Sequence, residues 1–518
     1  MNRSTHRKLL RRKRRIERRL ARAARRHPAR PTPVLAARNI RYEVADRAKA
    51  VACGGLGAMH LLARHVGLPQ AIDRGLHLLK RHLPYHESDH VLSLAYNVLA
   101  GGTCIEDLER LRADEAVLDG LGAHSLPDPT TAGDFCRRFS AADVEALMGC
   151  FNEVRLRVWQ QQPASFFERA VVDADGTLAP TNGSCKGGMD IAYDGTWGYH
   201  PLVVSLANTK EPLFLVNRPG NRPSHEGAAD RFDRAFDLCR RAGFKGILAR
   251  GDTDFSQTAH LDRWDAAGDV TFLFGLDAMP NLVLLAEALD RSAWRRLDRP
   301  PGYQVKTAHR RRPRDVKRRV VRQRLFENLT TEREDVAAFD YRPTLCKKAY
   351  RLVVLRKKLA VSMGQDRLWD EYRYFFFITN DRDTPAGELV LLANGRCDQE
   401  NLVEQLKNGV RAMKMPAHDL TSNWAYMVMA SLAWTLKAWA GLLLPVCGGA
   451  CRGRDEGRRR DVLRMEFKRF AASLVRLPCQ VVKAGRRVVY RLLAYNPWAR
   501  TLIRAADAWR RPLCPLTC

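Results

Sequence analysis

Three acidic positions far apart in the chain, Asp175, Asp252 and Glu400, have the residue types and settings that phosphodiester cleavage needs. The bond is anionic, so an attacking water must be made nucleophilic and the leaving oxygen must be stabilised. Two divalent metal ions about 3.5–4 Å apart do both. Mg²⁺ prefers oxygen ligands and keeps several waters, so two or three carboxylates hold such a pair. The expected signature is therefore sparse: a few Asp or Glu residues at strand ends and on a helix.

Asp173 and Asp175 end the apolar run Ala170-Val-Val-Asp-Ala-Asp175. Strand alternation puts both on one face, so periodicity leaves both open. The following Gly176-Thr177 favours Asp175, because Gly lets a phosphate approach the backbone closely; turn capping is the competing reading. Asp252 follows the strand-like Gly246-Ile-Leu-Ala-Arg-Gly251, with Asp254 as local competitor. The third element, Arg396-x3-Glu400-x6-Lys407, opens a helical stretch containing Leu402, Val403 and Leu406. On a regular α-helix Glu400 lies about 40° and Lys407 about 20° from Arg396. A carboxylate flanked by two cations on one face suits a scissile phosphate held between metal and charge clamps. Glu404 keeps open the alternative of a solvated face with intrahelical ion pairs.

The elements that must position these residues read as a mixed sheet with helices. Strand-like segments recur at 170–175, 201–207, 211–216, 246–250 and 270–274, with a helix over about 226–242; the second and third form a hairpin through Asn208-Thr-Lys210. The chain divides into a basic arm (1–45), a helical DNA-binding or dimerisation module (50–155) and a first part of the catalytic core (168–278). A β-rich insertion (279–368) follows, carrying the basic run Arg310–Arg319. A second part of the core (369–450) holds the Glu400 helix, and a basic C-terminal region (451–518) ends the sequence.

Composition points to a polyanionic partner. Lys+Arg 87 against Asp+Glu 57 gives a formal charge of +30 over 518 residues, a surplus suited to displacing the counterions of nucleic acid. The 13 cysteines include no C-x-x-C pair and read as free thiols of a reducing compartment. The arm has no apolar core of a secretory signal. The apolar stretch Trp424–Val446 carries Lys437, which favours a buried helix over a membrane span. A soluble cytoplasmic protein without membrane contact is expected.

Together, Asp175-Gly-Thr177, Arg250-Gly-Asp252-Thr-Asp-Phe255 and Arg396-x3-Glu400-x6-Lys407 resemble the DDE transposases of the IS4 superfamily, nearest to the IS1380-type group. Gly198-Tyr-His-Pro-Leu202, Asn217-Arg-Pro-Gly-Asn221 and the Phe-Ile-Thr-Asn run ending at Asn380 agree, and the resemblance spans about Gly54 to Asn496. It implies an RNase H-like α/β core interrupted by a β-rich insertion. It also implies two Mg²⁺ ions (Mn²⁺ as substitute) on Asp175, Asp252 and Glu400, with Arg396 and Lys407 on DNA phosphates. The implied activity is cut-and-paste transposition of a bacterial insertion sequence, the partners being terminal inverted repeats and target DNA. A homodimer would bridge the two ends. Two departures stand out: Ala393 occupies the position of the family's usual Tyr, and Asp254 that of a frequent Gly. A catalytically inactive DNA-binding derivative and an RNase H-like nuclease without strand transfer are the alternatives. His200 is expected to be structural, and Trp424, Trp434 and Trp439 to be core; Trp294 and Trp369 are the better candidates for base stacking.

Overall fold

The computed structural model describes residues 3–24, 49–82, 84–181, 183, 185–299, 327–363, 366–484, 487–493 and 496–513. The basic run Arg310–Arg319 and most of the arm beyond residue 24 lie outside the described residues.

Two of the helices before it, α1 (Glu87–Ala100) and α2 (Ala141–Trp159), lead into a nine-stranded mixed sheet, the backbone of the α/β fold. Its strands are β1 (Ala170–Gly176), β2 (Leu202–Leu206), β3 (Glu211–Val216), β4 (Ile247–Gly251), β5 (Val270–Leu276), β6 (Arg295–Arg296), β7 (Glu327–Tyr341), β8 (Tyr350–Met363) and β9 (Asp366–Thr379). Across the sheet they run β6-β7-β8-β9-β5-β4-β1-β2-β3. β1, β4 and β5 are parallel neighbours, while β2 runs antiparallel beside β1 and β3 antiparallel beside β2. The hairpin of β2 and β3 turns at 207–210, as its alternation and Asn208-Thr-Lys210 predict. The long ribbons β7–β9 extend the same sheet by antiparallel pairing of β9 with β5.

The faces follow from alternation. On β1, Ala170, Val172 and Ala174 are fully buried in the main core, which also takes Phe232 and Phe236 of helix α3 (Ala228–Ala242). Val171 points to the other face, packed on a second cluster that includes Leu248 of β4 and Leu389 and Val390 of helix α4 (Ala386–Asn394). Asp173 and Asp175 share that second face, as the period of two requires.

Helix α5 (Cys397–Glu404) follows α4 after a break at Gly395 and packs against β1. Helix α6 (Leu420–Leu442) is apolar on all sides and almost wholly buried, the pattern of a central core helix. Asp419 caps its start by accepting the Ser422 N–H at 2.9 Å. Lys437 lies inside this helix, 1% exposed. Its ammonium donates to the Leu463 carbonyl at 2.9 Å and sits 3.8 Å from the Trp434 ring centre; burial pushes it down to about 7. No described helix is long and apolar enough to cross a membrane.

Glu211, wholly buried at the start of β3, joins the helical segment to the sheet. It accepts from Arg155 (3.0 Å), Trp159 (2.9 Å), Trp439 (2.8 Å) and Thr209 (2.6 Å). Every acceptor direction of this carboxylate is used, which is the condition for keeping a charge in a core. Residues 49–51 pair with 479–484, which pair with 487–492, in a separate three-stranded sheet.

Candidate active site

The parallel register of β1 and β4 sets Asp173 opposite Arg250. The Arg250 guanidinium binds both Asp173 oxygens at 2.7 Å and donates from its third nitrogen to the Leu392 carbonyl at 2.7 Å. Asp173 is 0% and Arg250 5% exposed. The two neighbouring aspartates thus separate: Asp173 is spent on a buried bidentate pair that ties β1, β4 and the end of α4 together.

Asp175, one pleat further on the same face, reaches the edge where β4 ends. Asp252 lies two residues beyond Arg250 and so continues on the same side of the sheet. The Arg396 terminal nitrogen stands 3.2 Å from Asp175 and 3.2 Å from Asp252. Asp252 also accepts the Asp254 N–H at 3.1 Å, capping the short turn Thr253–Phe255. Glu400 lies one turn into α5 and, with Asp252, lines a cleft of about 420 Å³. Asp252, Arg396, Glu400, Phe375 and Tyr374 all border it. A larger cleft of about 840 Å³ between residues 161–166 and 441–463 contains a single carboxylate, Glu456, and no such cluster.

Electrostatics mark the place. Burial pushes Asp175 up to about 7, helped by repulsion from Asp252 and Glu400 and opposed by Arg396. Asp252 is also raised, by burial first and by Asp254. Such a cluster lacks positive charge, and Arg396 supplies part of it. Among the described residues, no three His, Cys, Asp or Glu side chains converge into a ready cage; a guanidinium nitrogen stands between two of the carboxylates. An all-oxygen donor set whose members repel one another suits a hard divalent cation, so Asp175, Asp252 and Glu400 are the residues that could hold one. Two buried donors at the same cleft, Arg396 Nε and Asn394 Nδ2, have no partner, and unpaired buried donors suit an anionic oxygen.

The sequence competitors sit elsewhere. Asp254 is exposed and makes no ion pair with Arg396. Glu404 is exposed and accepts from Asn408 at 2.7 Å. The regular-helix geometry expected for Arg396, Glu400 and Lys407 holds only in part. Arg396 stands at the position just before α5, and Lys407 falls in a π-turn, Gln405–Gly409, where the wider turn breaks the 100° spacing. Lys407 stays close enough for Asp175 to act on it, while burial lowers its affinity for a proton.

Gln399, not singled out in the sequence, positions Glu400. It is 2% exposed; it accepts from the Ser205 hydroxyl and donates to the Val203 carbonyl at 3.1 Å, pinning α5 to β2. The signal for it is a polar residue inside the buried face of an amphipathic stretch, which only tertiary contacts make meaningful. His200 is buried, its Nδ1 2.8 Å from the Arg222 carbonyl. Trp424 and Trp434 donate to the carbonyls of Leu215 and Lys210 within the core. Trp294 is covered by the Arg356 guanidinium at 3.9 Å, whereas Trp369 is 53% exposed.

No curated protein matches the chain. Among solved structures it is similar to the piggyBac transposase synaptic complex with hairpin DNA, determined by cryo-EM. That likeness has 10% sequence identity and a TM-score of 0.36, covering 90% of this chain and 87% of that chain. The family model described as transposase DDE domain group 1 matches residues 33–512. With nearly the whole length matched, this chain belongs to the transposase family of DDE domain group 1.

Proposed function

We propose that the chain is a cut-and-paste DNA transposase that binds terminal inverted repeats and cleaves and joins DNA strands at an RNase H-like centre. The observation carrying this reading is the meeting of Asp175 and Asp252 on one Arg396 nitrogen, with Glu400 beside them, inside a family-matched chain of charge +30. The strand order β3-β2-β1-β4-β5, with β1, β4 and β5 parallel, supports the RNase H-like description. The motif resemblance supports the IS4 superfamily and its IS1380-type group. Asp175, Asp252 and Glu400 would hold two divalent ions, Mg²⁺ or Mn²⁺. Bound there, these ions would supply the charge that makes water nucleophilic and stabilises the leaving oxygen.

The chain's own residues then have separable tasks. Arg396, whose Nε has no partner, donates to a phosphate oxygen at the carboxylate cleft. Lys407 holds a neighbouring phosphate, and Asn394 adds a neutral donor. Arg250 and Gln399 keep β1, β4, α4 and α5 in the register that makes the three carboxylates neighbours. Partners under this reading are the element's ends and target DNA in the bacterial cytoplasm, with a homodimer bridging two ends. The helical module at 50–155, the ribbon insertion at 279–368 and the basic flanks at 1–45 and 451–518 are the regions available for those contacts.

Glu400→Gln tests the assignment of the third carboxylate. It removes one charge and keeps the shape, so affinity for end DNA should change less than about twofold while cleavage falls by at least about 10²-fold. Gel-shift titration and single-turnover cleavage measure the two. Normal cutting by this variant would remove Glu400 from the site.

A further inference from the structure

A third cleft, of about 690 Å³, is lined in part by Lys407–Lys414, the segment that follows the Glu400 helix. Its lining carries Lys186, Lys407, Arg411 and Lys414 and contains no Asp or Glu. Among the described residues none of these four forms an ion pair. Lys186 is tied by its ammonium to the Met415 carbonyl, and it is depressed by burial and by Lys414. With no carboxylate in the lining these cations repel one another, and Glu404 and Asp175, outside it, act on Lys407 alone among them.

The backbone shows how it is maintained. Arg411 and Met415 both adopt left-handed conformations, φ 57° and φ 52°, which non-glycine residues enter at a cost. They bracket the short turn Ala412–Lys414 and present Arg411 and Lys414 to one cleft. The opposite wall, Ala179-Pro180-Thr181, follows within six residues of Asp175. Lys407 lines this cleft and feels the charges of Glu404 and Asp175. The basic cleft is thus lined by the π-turn and the short turn that follow the Glu400 helix in the chain.

We propose that this cleft is a phosphate track that grips the backbone next to the scissile bond, with Lys186, Arg411 and Lys414 as contacts additional to Lys407. The inference rests on the transposase reading and names where the cut strand continues after leaving the carboxylates. Recognition there is by charge and is independent of sequence.

The test uses the full chain with duplex DNA bearing the element's ends, and reads the slope of log Kd against log salt. Each phosphate contact removed flattens the slope by about 0.9. The double variant Arg411→Asn/Lys414→Gln should flatten it by about 1.8, and the exposed single change Lys414→Gln by about 0.9. Asn tolerates the left-handed backbone at 411, and the single variant guards against misfolding of the double. Ethylating the phosphates flanking the scissile bond should weaken the wild type more than the double variant, which keeps Lys186 and Lys407. Unchanged slopes in both variants, with wild-type binding intact, would overturn the track and leave the transposase reading standing. Wild-type protein without salt-sensitive DNA binding would overturn both.

Discussion

Asp173→Ala is expected to destabilise the protein by about 3–5 kcal/mol, because it leaves the buried Arg250 guanidinium without its counter-charge. The pair is bidentate at 2.7 Å and both partners are under a tenth exposed, so solvent screening offers little relief. Arg250 would still hold the Leu392 carbonyl, but one hydrogen bond cannot compensate a full buried charge. Asp175→Asn, two residues away, should behave in the opposite manner. Burial, with added repulsion from Asp252 and Glu400, pushes its carboxyl up to about 7 against the pull of Arg396, so neutralising it removes a buried charge from the metal-free protein. Stability should be unchanged or higher, while DNA cleavage falls by about 10²–10³-fold. Urea unfolding and single-turnover cleavage on both variants decide the matter. A stable Asp173→Ala protein with lost cleavage would exchange the roles assigned to the two aspartates.

Arg396→Ala should move two properties in opposite directions. In the metal-free site the guanidinium shares one nitrogen between Asp175 and Asp252 at 3.2 Å each, where it repels and competes with any divalent cation. Its removal should tighten Mn²⁺ or Mg²⁺ binding by roughly tenfold, the scale on which a charge within about 4–6 Å alters an ionic equilibrium. Cleavage should nevertheless fall by about 10²-fold, since a preorganised donor for the developing phosphate charge is lost. Calorimetric metal titration and cleavage at saturating metal separate the effects. Weaker metal binding would mean that Arg396 organises the carboxylates more than it competes with the ion.

The chemistry-bearing positions were more legible in the sequence than the contacts that select among them. Period-two alternation places Asp173 and Asp175 on one face and goes no further; the choice between them depends on the register of β1 against β4, which puts Arg250 opposite Asp173. That register is a long-range fact carried by no local pattern. The hairpin at 202–216 and the apolar strands at 170, 247 and 270 were readable because each is a short β-rich run bounded by turn residues. The π-turn at Gln405–Gly409 was not, since no local pattern marks it and the contact it carries is tertiary. The Gln405 side chain accepts the Phe467 N–H at 2.9 Å, a contact made 62 residues away. Helix α6 misleads a hydropathy reading for a related reason: a core helix buried on every side has the composition of a membrane span, and Lys437 with its carbonyl partner is the mark of the difference. The basic cleft stayed invisible because its four cations come from two segments more than two hundred residues apart.

The most direct measurement is cleavage of DNA carrying the element's terminal repeats by wild type and Asp252→Asn, in Mg²⁺ and in EDTA. The account predicts cutting at the repeat ends that requires Mg²⁺ and is lost in Asp252→Asn while salt-sensitive binding persists. Cutting that survives EDTA or the substitution, or tight binding with no cutting under any divalent metal, would contradict it.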